Sequence, residues 1–241
     1  MKANKQVRYK DWADFSSRFL LPFTTELQPE RKRQLIFRGQ ADANWKLETT
    51  LDRILQFDSG AERIQIFEGL IAEFRRQTRG LPLEVLPQTP IEWELLGRHH
   101  GLPTTVLDFT RSPYVAAFFA YAERQPSETT HAAIWMLDLQ AFESDGAVSE
   151  IELVDDDEAL RFNSRAIEQE GLFVKIKDVT HPVESRLGGH LQKHLLPSTP
   201  DARRAILASL QSMRITARNL FRDLDGAARS ASIQTLLRRG E

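Results

Sequence analysis

The segment from Tyr114 to Ala122 constrains the fold most, because it reads as a helix with almost no polar residue. Ser112 and Pro113 stand directly before it, and proline is well suited to the first helical position, where its missing N–H has no intrahelical partner. A helix that is apolar all round is a buried helix, and its alanines let neighbouring backbones come close. We therefore predict that this helix lies in the core.

Polar residues crowd the entry to this helix. A β-branched run at residues 104–106 leads through Asp108 to Thr110, Arg111 and Ser112, so these side chains lie where a strand meets a buried helix start. Such a place holds polar side chains rigidly and supplies free N–H groups for an anion. Capping of the helix is an equal alternative for the Asp, Thr and Ser side chains. His99, just before the turn at residues 101–103, is either part of this site or a hydrogen-bonded core histidine.

An arginine stands near the end of a second apolar segment, residues 34–40, which reads as a short buried strand. A buried arginine is costly without a partner. Arg38 therefore either pairs with a carboxylate or binds a phosphate, which its planar fork fits well. Gly39 directly behind it lets a ligand or another backbone approach closely.

Composition bounds the class of protein. The chain has 241 residues, a formal net charge of −2 and no cysteine. This length is enough to bury a hydrophobic core. The small negative net charge does not favour binding to nucleic acid or to an anionic membrane. The absence of cysteine excludes disulfides and cysteine-based zinc sites. Neither a signal peptide nor a membrane span is evident, so we expect a cytoplasmic protein without a membrane partner.

The periodicity predicts more helices than strands. Beyond the two segments above, the predicted strands are Ala132 to Leu139 and Leu172 to Ile176. The predicted helices are Asp11 to Leu20, ending before Pro22, Ala61 to Thr78, Glu92 to His100, one that starts near Ser198, and Asp225 to Arg239. No repeat or flexible linker divides the chain. We predict one α+β domain, residues 1–241, with a small mixed or antiparallel sheet surrounded by helices.

Four blocks resemble the FRG domain family, which is best known from bacteria and lacks an assigned activity. They are Phe37-Arg38-Gly39 continuing to Leu47, His99 to Ala120, Asn163 to Phe173, and Leu220 to Gly226. This chain has Arg98 where the family usually has glutamine, Arg222 where it has proline, and Phe109 where tryptophan is common. The blocks place the motif-bearing core at about residues 34–230.

A second resemblance is to ADP-ribosyltransferases of the arginine-serine-glutamate type, and the fold class it implies is theirs. In that group a first strand ends in arginine, a Ser-Thr-Ser strand end precedes an alanine-rich helix, and a Glu-x-Glu or Gln-x-Glu motif precedes a later strand. Arg38, the segment Phe109 to Ser112, and Glu168-Gln169-Glu170 occur here in that order. The resemblance implies NAD as the substrate and no metal.

The resemblance also implies a role for each residue. Arg38 would hold the pyrophosphate or a ribose of NAD, and Thr110 and Ser112 would orient the nicotinamide ribose. A carboxylate from Glu168 or Glu170 would stabilise the oxocarbenium-like transition state, while Gln169, the best match to the motif, cannot act as a base. The further residues expected to contact the ligand are Phe37, Gly39, Gln40, His99, Asp108, Phe109, Arg111, Tyr114 and Arg165.

Three functions remain open from the sequence. The first is NAD cleavage or ADP-ribosyl transfer to a protein or nucleic acid, which by family analogy suits a toxin or an anti-phage effector. The second is a module that binds a nucleotide or nucleic acid without chemistry, through an arginine-lined pocket. A metal-dependent hydrolase using His99, His100, Asp108 and His131 ranks lowest, because adjacent histidines cannot both face one way on a helix. The oligomeric state is open.

Overall fold

The computed structural model of the chain describes residues 5–54, 59–83, 85–123, 128–144, 151–156, 160, 164–177 and 183–238. Asn163 of the third block and Arg239, the predicted end of the last helix, lie outside these ranges. Within them the chain forms one mixed sheet with helices packed on it, which confirms the predicted fold class.

Seven strands make up the sheet in the described residues. They are β1 (Lys5–Arg8), β2 (Leu35–Gln40), β3 (Val106–Thr110), β4 (His131–Asp138), β5 (Ile151–Val154), β6 (Gly171–Ile176) and β7 (Leu191–Pro197). Their order across the sheet is β1-β7-β4-β2-β3-β6-β5. Only β1 and β7 pair in parallel, and the other neighbours in the described sheet are antiparallel.

Helices connect and cover the strands. They are α1 (Trp12–Phe15), α2 (Leu21–Thr25), α3 (Pro29–Arg33), α4 (Thr50–Ile54), α5 (Gly60–Gln77), α6 (Pro90–His99), α7 (Pro113–Ala122), α8 (Leu139–Ser144), α9 (Ser164–Glu168), α10 (Val183–Leu187), α11 (Pro200–Ser212), α12 (Ala217–Phe221) and α13 (Leu224–Arg238). A π-helical turn, Ser16–Leu20, joins α1 to α2, and a 3₁₀ turn, Gly188–His190, precedes β7.

The predicted helix end before Pro22 is wrong. Helical backbone continues from Trp12 through the π turn to Thr25, and Pro22 falls in the first turn of α2. In the first turn of a helix the missing N–H of proline costs no intrahelical hydrogen bond. The helical backbone therefore continues through the wider π turn and past Pro22. The outcome places Phe15, Leu20 and Phe23 in one core.

Helix α7 is buried as its composition requires. Ala116, Ala117, Ala120 and Tyr121 have no exposed surface, and the helix packs across β2 and β4. The contact with β2 depends on Gly39, because a Cβ at that position would stand 1.9 Å from the carbonyl oxygen of Ala116. Of the two alternatives predicted for Gly39, a ligand or another backbone, it is the backbone of α7 that approaches it closely.

The two faces of the sheet carry separate cores because side chains alternate along each strand. On β2, Leu35 and Phe37 pack in the core with α7, whereas Ile36 packs on the opposite face with Trp135 and Leu137 of β4. Arg38 has the same parity as Ile36 and pairs with Trp135 across the strands. Its side chain consequently leaves the sheet on the face away from α7.

Strands β2 and β3 separate almost as soon as they meet. They share the single register pair Phe37↔Thr110, whereas β3 and β6 pair over their whole length. Beyond that pair, the end of β2 from Arg38 to Gln40 and the middle of β3 stand apart. The split opens a cleft in the middle of the sheet.

Candidate functional site

A cleft of about 440 Å³ occupies the split between β2 and β3. Its size is within the range of small-molecule and cofactor sites. The predicted site residues that line it are Phe37, Arg38, Gly39, Gln40, His99, Asp108, Phe109, Thr110, Arg165 and Gln169. Segments far apart in the sequence therefore meet in one place.

Asp108 is the carboxylate at the centre of the cleft, and Arg98 holds it. Nε of Arg98 donates to Oδ1 of Asp108 at 2.7 Å, and Nη2 donates to Oδ2. Nη1 of Arg98 donates to the hydroxyls of Thr50 and Thr104, both at 3.1 Å. Arg98 thus has well-placed partners on α4 and β3, and 45% of the Asp108 side chain remains exposed in the cleft.

Arg38 has far poorer partners. Nη1 donates to the backbone carbonyl of Asp108 at 2.7 Å and lies 3.4 Å from its Oδ2, the limit of a weak contact. Its Nε is buried without an acceptor among the described residues. Arg38 therefore contacts a carboxylate, as one of its two predicted alternatives requires, while the binding of a phosphate stays a prediction.

The pKa values follow from this arrangement. Burial alone would raise the pKa of the Asp108 carboxyl, but the charges and hydrogen bonds of Arg98 and Arg38 outweigh it and hold that pKa well below its usual range. Burial lowers the pKa of Arg38, and the charge of Asp108 only partly opposes it. At neutral pH the three side chains carry one net positive charge at the floor of the cleft.

Gln40 and Phe37 support the cleft rather than reach into it. Oε1 of Gln40 accepts from Nε1 of Trp135 at 2.6 Å, and its Nε2 donates to the carbonyl of Lys46 at 3.0 Å. The second bond holds the loop that carries Trp45 over the cleft. Phe37 has no exposed surface and packs in the core beneath.

Thr110 and Ser112 are tied into the backbone at the strand end. The Thr110 hydroxyl donates to the carbonyl of Gln169 at 2.6 Å and accepts from the N–H of Ser112 at 3.0 Å. Ser112 is the N-cap of α7, where its Oγ accepts from the N–H of Val115 at 3.4 Å. Thr110 lines the cleft, whereas Ser112 lies outside it.

The motif Glu168-Gln169-Glu170 falls in a turn between α9 and β6, so its three side chains diverge. Gln169 lines the cleft, and its Nε2 donates to the carbonyl of Leu220 at 3.1 Å. Glu168 pairs with Arg222 at 2.6 Å on the outer side of the α9–α12 wall. Glu170 is exposed, with a left-handed backbone at φ 47°. Of the motif, only the neutral Gln169 lines the cleft.

Arg165 and Phe221 form the wall opposite Arg38. Arg165 pairs with Asp223 at 2.5 Å, and its guanidinium lies 5.3 Å from the centre of the Phe221 ring. The ion pair and the ring contact together fix Arg165 at the edge of the cleft. Both residues come from the third and fourth sequence blocks, which the fold brings together through α9 and α12.

Two of the expected ligand contacts lie elsewhere. Arg111 donates to the carbonyl of Arg33 at 2.5 Å and pairs with Asp155 at 2.6 Å, so it joins β3 to neighbouring segments outside the cleft. Tyr114 belongs to the first turn of α7 and packs, partly buried, against the core. His99 and Phe109 do line the cleft, and the His99 ring meets that of His100 edge-on at 5.0 Å.

Several lining residues were not predicted as site residues. Trp45 is 46% exposed at the cleft, and Arg53, Phe119 and Glu123 also line it. Trp45 belongs to the first sequence block, so an exposed aromatic residue within a motif was the available signal. Nothing local in the sequence distinguished Phe119 from the other buried residues of α7.

The described residues contain no group of three or more His, Cys, Asp or Glu side chains placed to hold a metal ion. None of the described helices combines the length and apolar character needed to cross a membrane.

The fold and the cleft define a mixed α/β protein with a cationic central site. Residues 33–129 match the family model of the FRG domain. The matched stretch spans β2, β3 and α7 and includes Arg38, Arg98 and Asp108. A search of the curated proteins and a search of the solved structures each found no match.

Proposed function

We propose that the cleft binds a phosphorylated nucleotide, with NAD or ADP-ribose as the foremost candidates. The observation that carries the proposal is the incomplete pairing of Arg38, whose buried Nε has no acceptor among the described residues. A buried guanidinium favours an anion that completes its hydrogen bonds, and a phosphate matches its fork.

The remaining lining agrees with such a ligand. Four arginines face two carboxylates around the cleft: Arg38, Arg53, Arg98 and Arg165 against Asp108 and Glu123. The half-exposed ring of Trp45 offers a flat apolar surface at the same opening. An excess of positive charge beside an aromatic ring suits a phosphate joined to a base.

Binding is favoured over chemistry because the cleft does not offer a free carboxylate at the motif that should supply one. Glu168 is paired with Arg222 and Glu170 lies in an exposed turn. Asp108 is ionised but neutralised by two arginines. A net positive floor stabilises an anion and disfavours the cationic, oxocarbenium-like transition state of NAD cleavage.

Calorimetric titration with ADP-ribose, NAD and AMP tests the proposal. We expect saturable binding of ADP-ribose that weakens about 10- to 100-fold in Arg38→Gln, the usual range for a lost charged hydrogen bond. The matched control is Arg31→Gln, which removes an arginine–aspartate pair with Asp138 that lies outside the cleft. Failure of the wild-type protein to bind any of the three, or equal affinity in Arg38→Gln, would overturn the proposal.

A nucleic-acid ligand is the related alternative, and salt separates the two. Binding to many phosphates weakens steeply as salt is added, because counterions are released along the strand. A mononucleotide or dinucleotide brings only a few phosphates into contact with the protein. We therefore expect a shallow salt dependence.

NAD cleavage is the second candidate function, favoured by the position of the three motifs. Arg38, Thr110 and Gln169 come from β2, β3 and the turn before β6, and they line one cleft. In the reaction, the bond between C1′ of the ribose and N1 of nicotinamide breaks, water adds to C1′, nicotinamide leaves neutral and one proton is released. Asp108 is then the carboxylate nearest to the developing positive charge in this proposal.

Release of nicotinamide from NAD, followed by mass spectrometry, tests this candidate. This second candidate predicts release by the wild-type protein, with and without cell lysate as a source of acceptors, and its loss in Asp108→Asn. ADP-ribose binding without any release would leave the binding function and remove this one. Only if release is observed does the role of a toxin or anti-phage effector, acting by NAD depletion, become the proposed cellular function.

A further inference from the structure

A second cavity, of about 570 Å³, lies between α7, α11 and α13. Its walls are mostly apolar, formed by Phe118, Ile233, Leu236 and Ala228 among others. Phe119 and Phe221 line both this cavity and the nucleotide cleft, so their two rings stand between the two spaces. The cavity is thus separate from the proposed nucleotide site but shares a wall with it.

One charged group on the wall of this cavity, Arg203, has no opposite charge beside it among the residues that the structure describes. Arg203 donates from Nε to the carbonyl of Tyr121 at 2.8 Å and from Nη2 to that of Ala122 at 3.0 Å. A guanidinium has five N–H donors, so three of them make no hydrogen bond to the described residues. No carboxylate in the described part of the chain forms an ion pair with Arg203, and burial lowers its pKa.

The other charges at the cavity cancel. Glu123 and Arg229 form an ion pair at 3.3 Å, and their side chains are 72% and 53% exposed, so they mark the solvent side. Inside the opening, Arg203 is the remaining charge among the described lining residues. Arg203 is half-buried beside these apolar walls, so an anion that joined it would form an ion pair that is only partly screened by water.

We propose that this cavity is a binding site for an organic monocarboxylate with an aliphatic chain. The carboxylate would bind the free edge of the Arg203 guanidinium, formed by Nη1 and the second hydrogen of Nη2. The chain would lie against the apolar walls. Charge and apolar surface together select this class of ligand: an inorganic anion leaves the walls uncovered, and a neutral alkane leaves Arg203 unpaired.

Three probes that differ only in the head group test the proposal on the intact chain: octanoate, octanamide and octylammonium. Calorimetric titration, below the concentrations at which these compounds form micelles, should show saturable binding of octanoate. We expect octanoate to bind about tenfold or more tightly than octanamide, and octylammonium to bind weakest. Equal affinities of octanoate and octanamide, or no octanoate binding, would overturn the proposal.

Variants locate the site. Arg203→Gln should abolish the preference for octanoate over octanamide. Arg204→Gln is the matched control, because Arg204 is the next residue and pairs with Asp201 on the surface.

Since Arg203 also binds the carbonyls at the end of α7, its variant can lose stability. Ala228→Phe is therefore a second variant: Ala228 is an exposed residue of α13 whose enlargement fills the cavity. Octanoate binding that survives in a folded Ala228→Phe protein would place the ligand elsewhere and overturn the proposal.

The two proposals fail independently. ADP-ribose binding is measured on the same preparations, and Arg203→Gln leaves the arginines that line the nucleotide cleft in place. Loss of octanoate binding with unchanged ADP-ribose affinity in that variant would support two distinct sites.

Discussion

Arg98 holds the carboxylate of Asp108 at two points, and this pairing decides the charge of the whole cleft. Because Asp108 is committed to Arg98, it makes only a 3.4 Å contact with Arg38 through its carboxylate. Arg98 therefore neutralises the central carboxylate and leaves the buried Nε of Arg38 without an acceptor among the described residues.

Replacing the two partners should change ligand affinity in opposite directions. Asp108→Asn removes a negative charge beside the proposed phosphate site, so we expect about tenfold tighter ADP-ribose binding. Arg98→Gln frees Asp108 to pair with Arg38, so we expect weaker binding. Both variants should lose stability, by about 1–2 kcal/mol, because the pair is partly solvent-exposed and its loss is partly compensated by water. Calorimetry and urea unfolding measure the two effects.

The control for this prediction is Asp138→Asn, which breaks the similar pair with Arg31 outside the cleft. It should cost comparable stability and leave ADP-ribose affinity unchanged. If Asp108→Asn and Arg98→Gln shift the affinity in the same direction, the Arg98–Asp108 pair does not set the charge of the site.

Acid should destabilise the protein through His194. This histidine has no exposed surface, its Nδ1 lies 2.8 Å from the Tyr9 hydroxyl, and burial lowers its pKa from 6.5 to about 4. The unfolded state then binds more protons between pH 6.5 and 4, so stability is full above pH 6.5 and falls as the pH drops to 4. The difference in pKa corresponds to about 3 kcal/mol.

Urea unfolding at a series of pH values measures this loss. His194→Phe combined with Tyr9→Phe removes the titrating ring and its hydroxyl partner, and the part of the slope due to His194 should disappear. Tyr9→Phe alone loses the same hydrogen bond but keeps the ring, so it should retain the slope. Identical slopes in the single and double variants would show that His194 is not the group that titrates.

Gly39→Ala should be strongly destabilising. The added methyl group would stand 1.9 Å from the carbonyl oxygen of Ala116 and 2.7 Å from the amide nitrogen of Ala120, both backbone atoms of the buried helix α7. Overpacking of this kind costs about 1–3 kcal/mol or more, and here the helix cannot move away because α11 packs on it. Thermal and urea unfolding measure the change.

Gly69→Ala provides the matched control. It lies inside α5 with no atom within 4 Å of the added methyl group. We expect it to stabilise the protein by up to about 1 kcal/mol, the difference in helix propensity between the two residues. A harmless Gly39→Ala would mean that α7 does not pack on β2 as described.

Ser112→Ala separates capping from ligand binding. The N-cap hydrogen bond to Val115 predicts a loss of about 1 kcal/mol in stability, without change in ADP-ribose affinity. Thr199→Ala, which removes the corresponding cap of α11, should cost a similar amount. A large loss of affinity in a folded Ser112→Ala protein would assign the hydroxyl to the ligand instead.

The sequence predicted the burial of α7 and the strands β2, β3, β4 and β6, because these depend on local composition and periodicity, but it did not predict β1, β5 or β7. It also named half of the residues that line the cleft, since strand ends and motif blocks carry them. It did not decide between the partners of Arg38, because the carboxylate that reaches it lies 70 residues away and depends on how Arg98 is placed.

The glutamate motif shows most clearly what lay beyond the sequence. The motif was expected to precede a strand, and it does: α9 ends at Glu168 and the chain turns through the left-handed residue Glu170 before β6 begins. Arg222, the residue after α12, pairs with Glu168 and holds it outside the cleft. The carbonyl of Leu220 in α12 accepts from Gln169 and holds that side chain at the cleft.

The sequence by itself determined the class of fold, the buried helix and the residue types that gather at the cleft, because hydrophobic periodicity and turn chemistry act over a few residues. Only the tertiary structure decided which carboxylate neutralises which arginine, that Gln169 rather than Glu168 or Glu170 lines the cleft, and that Arg203 stands beside apolar walls without an ion pair to any described carboxylate. Those outcomes depend on contacts between segments distant in the chain, where the geometry of packing and not local preference selects the partner.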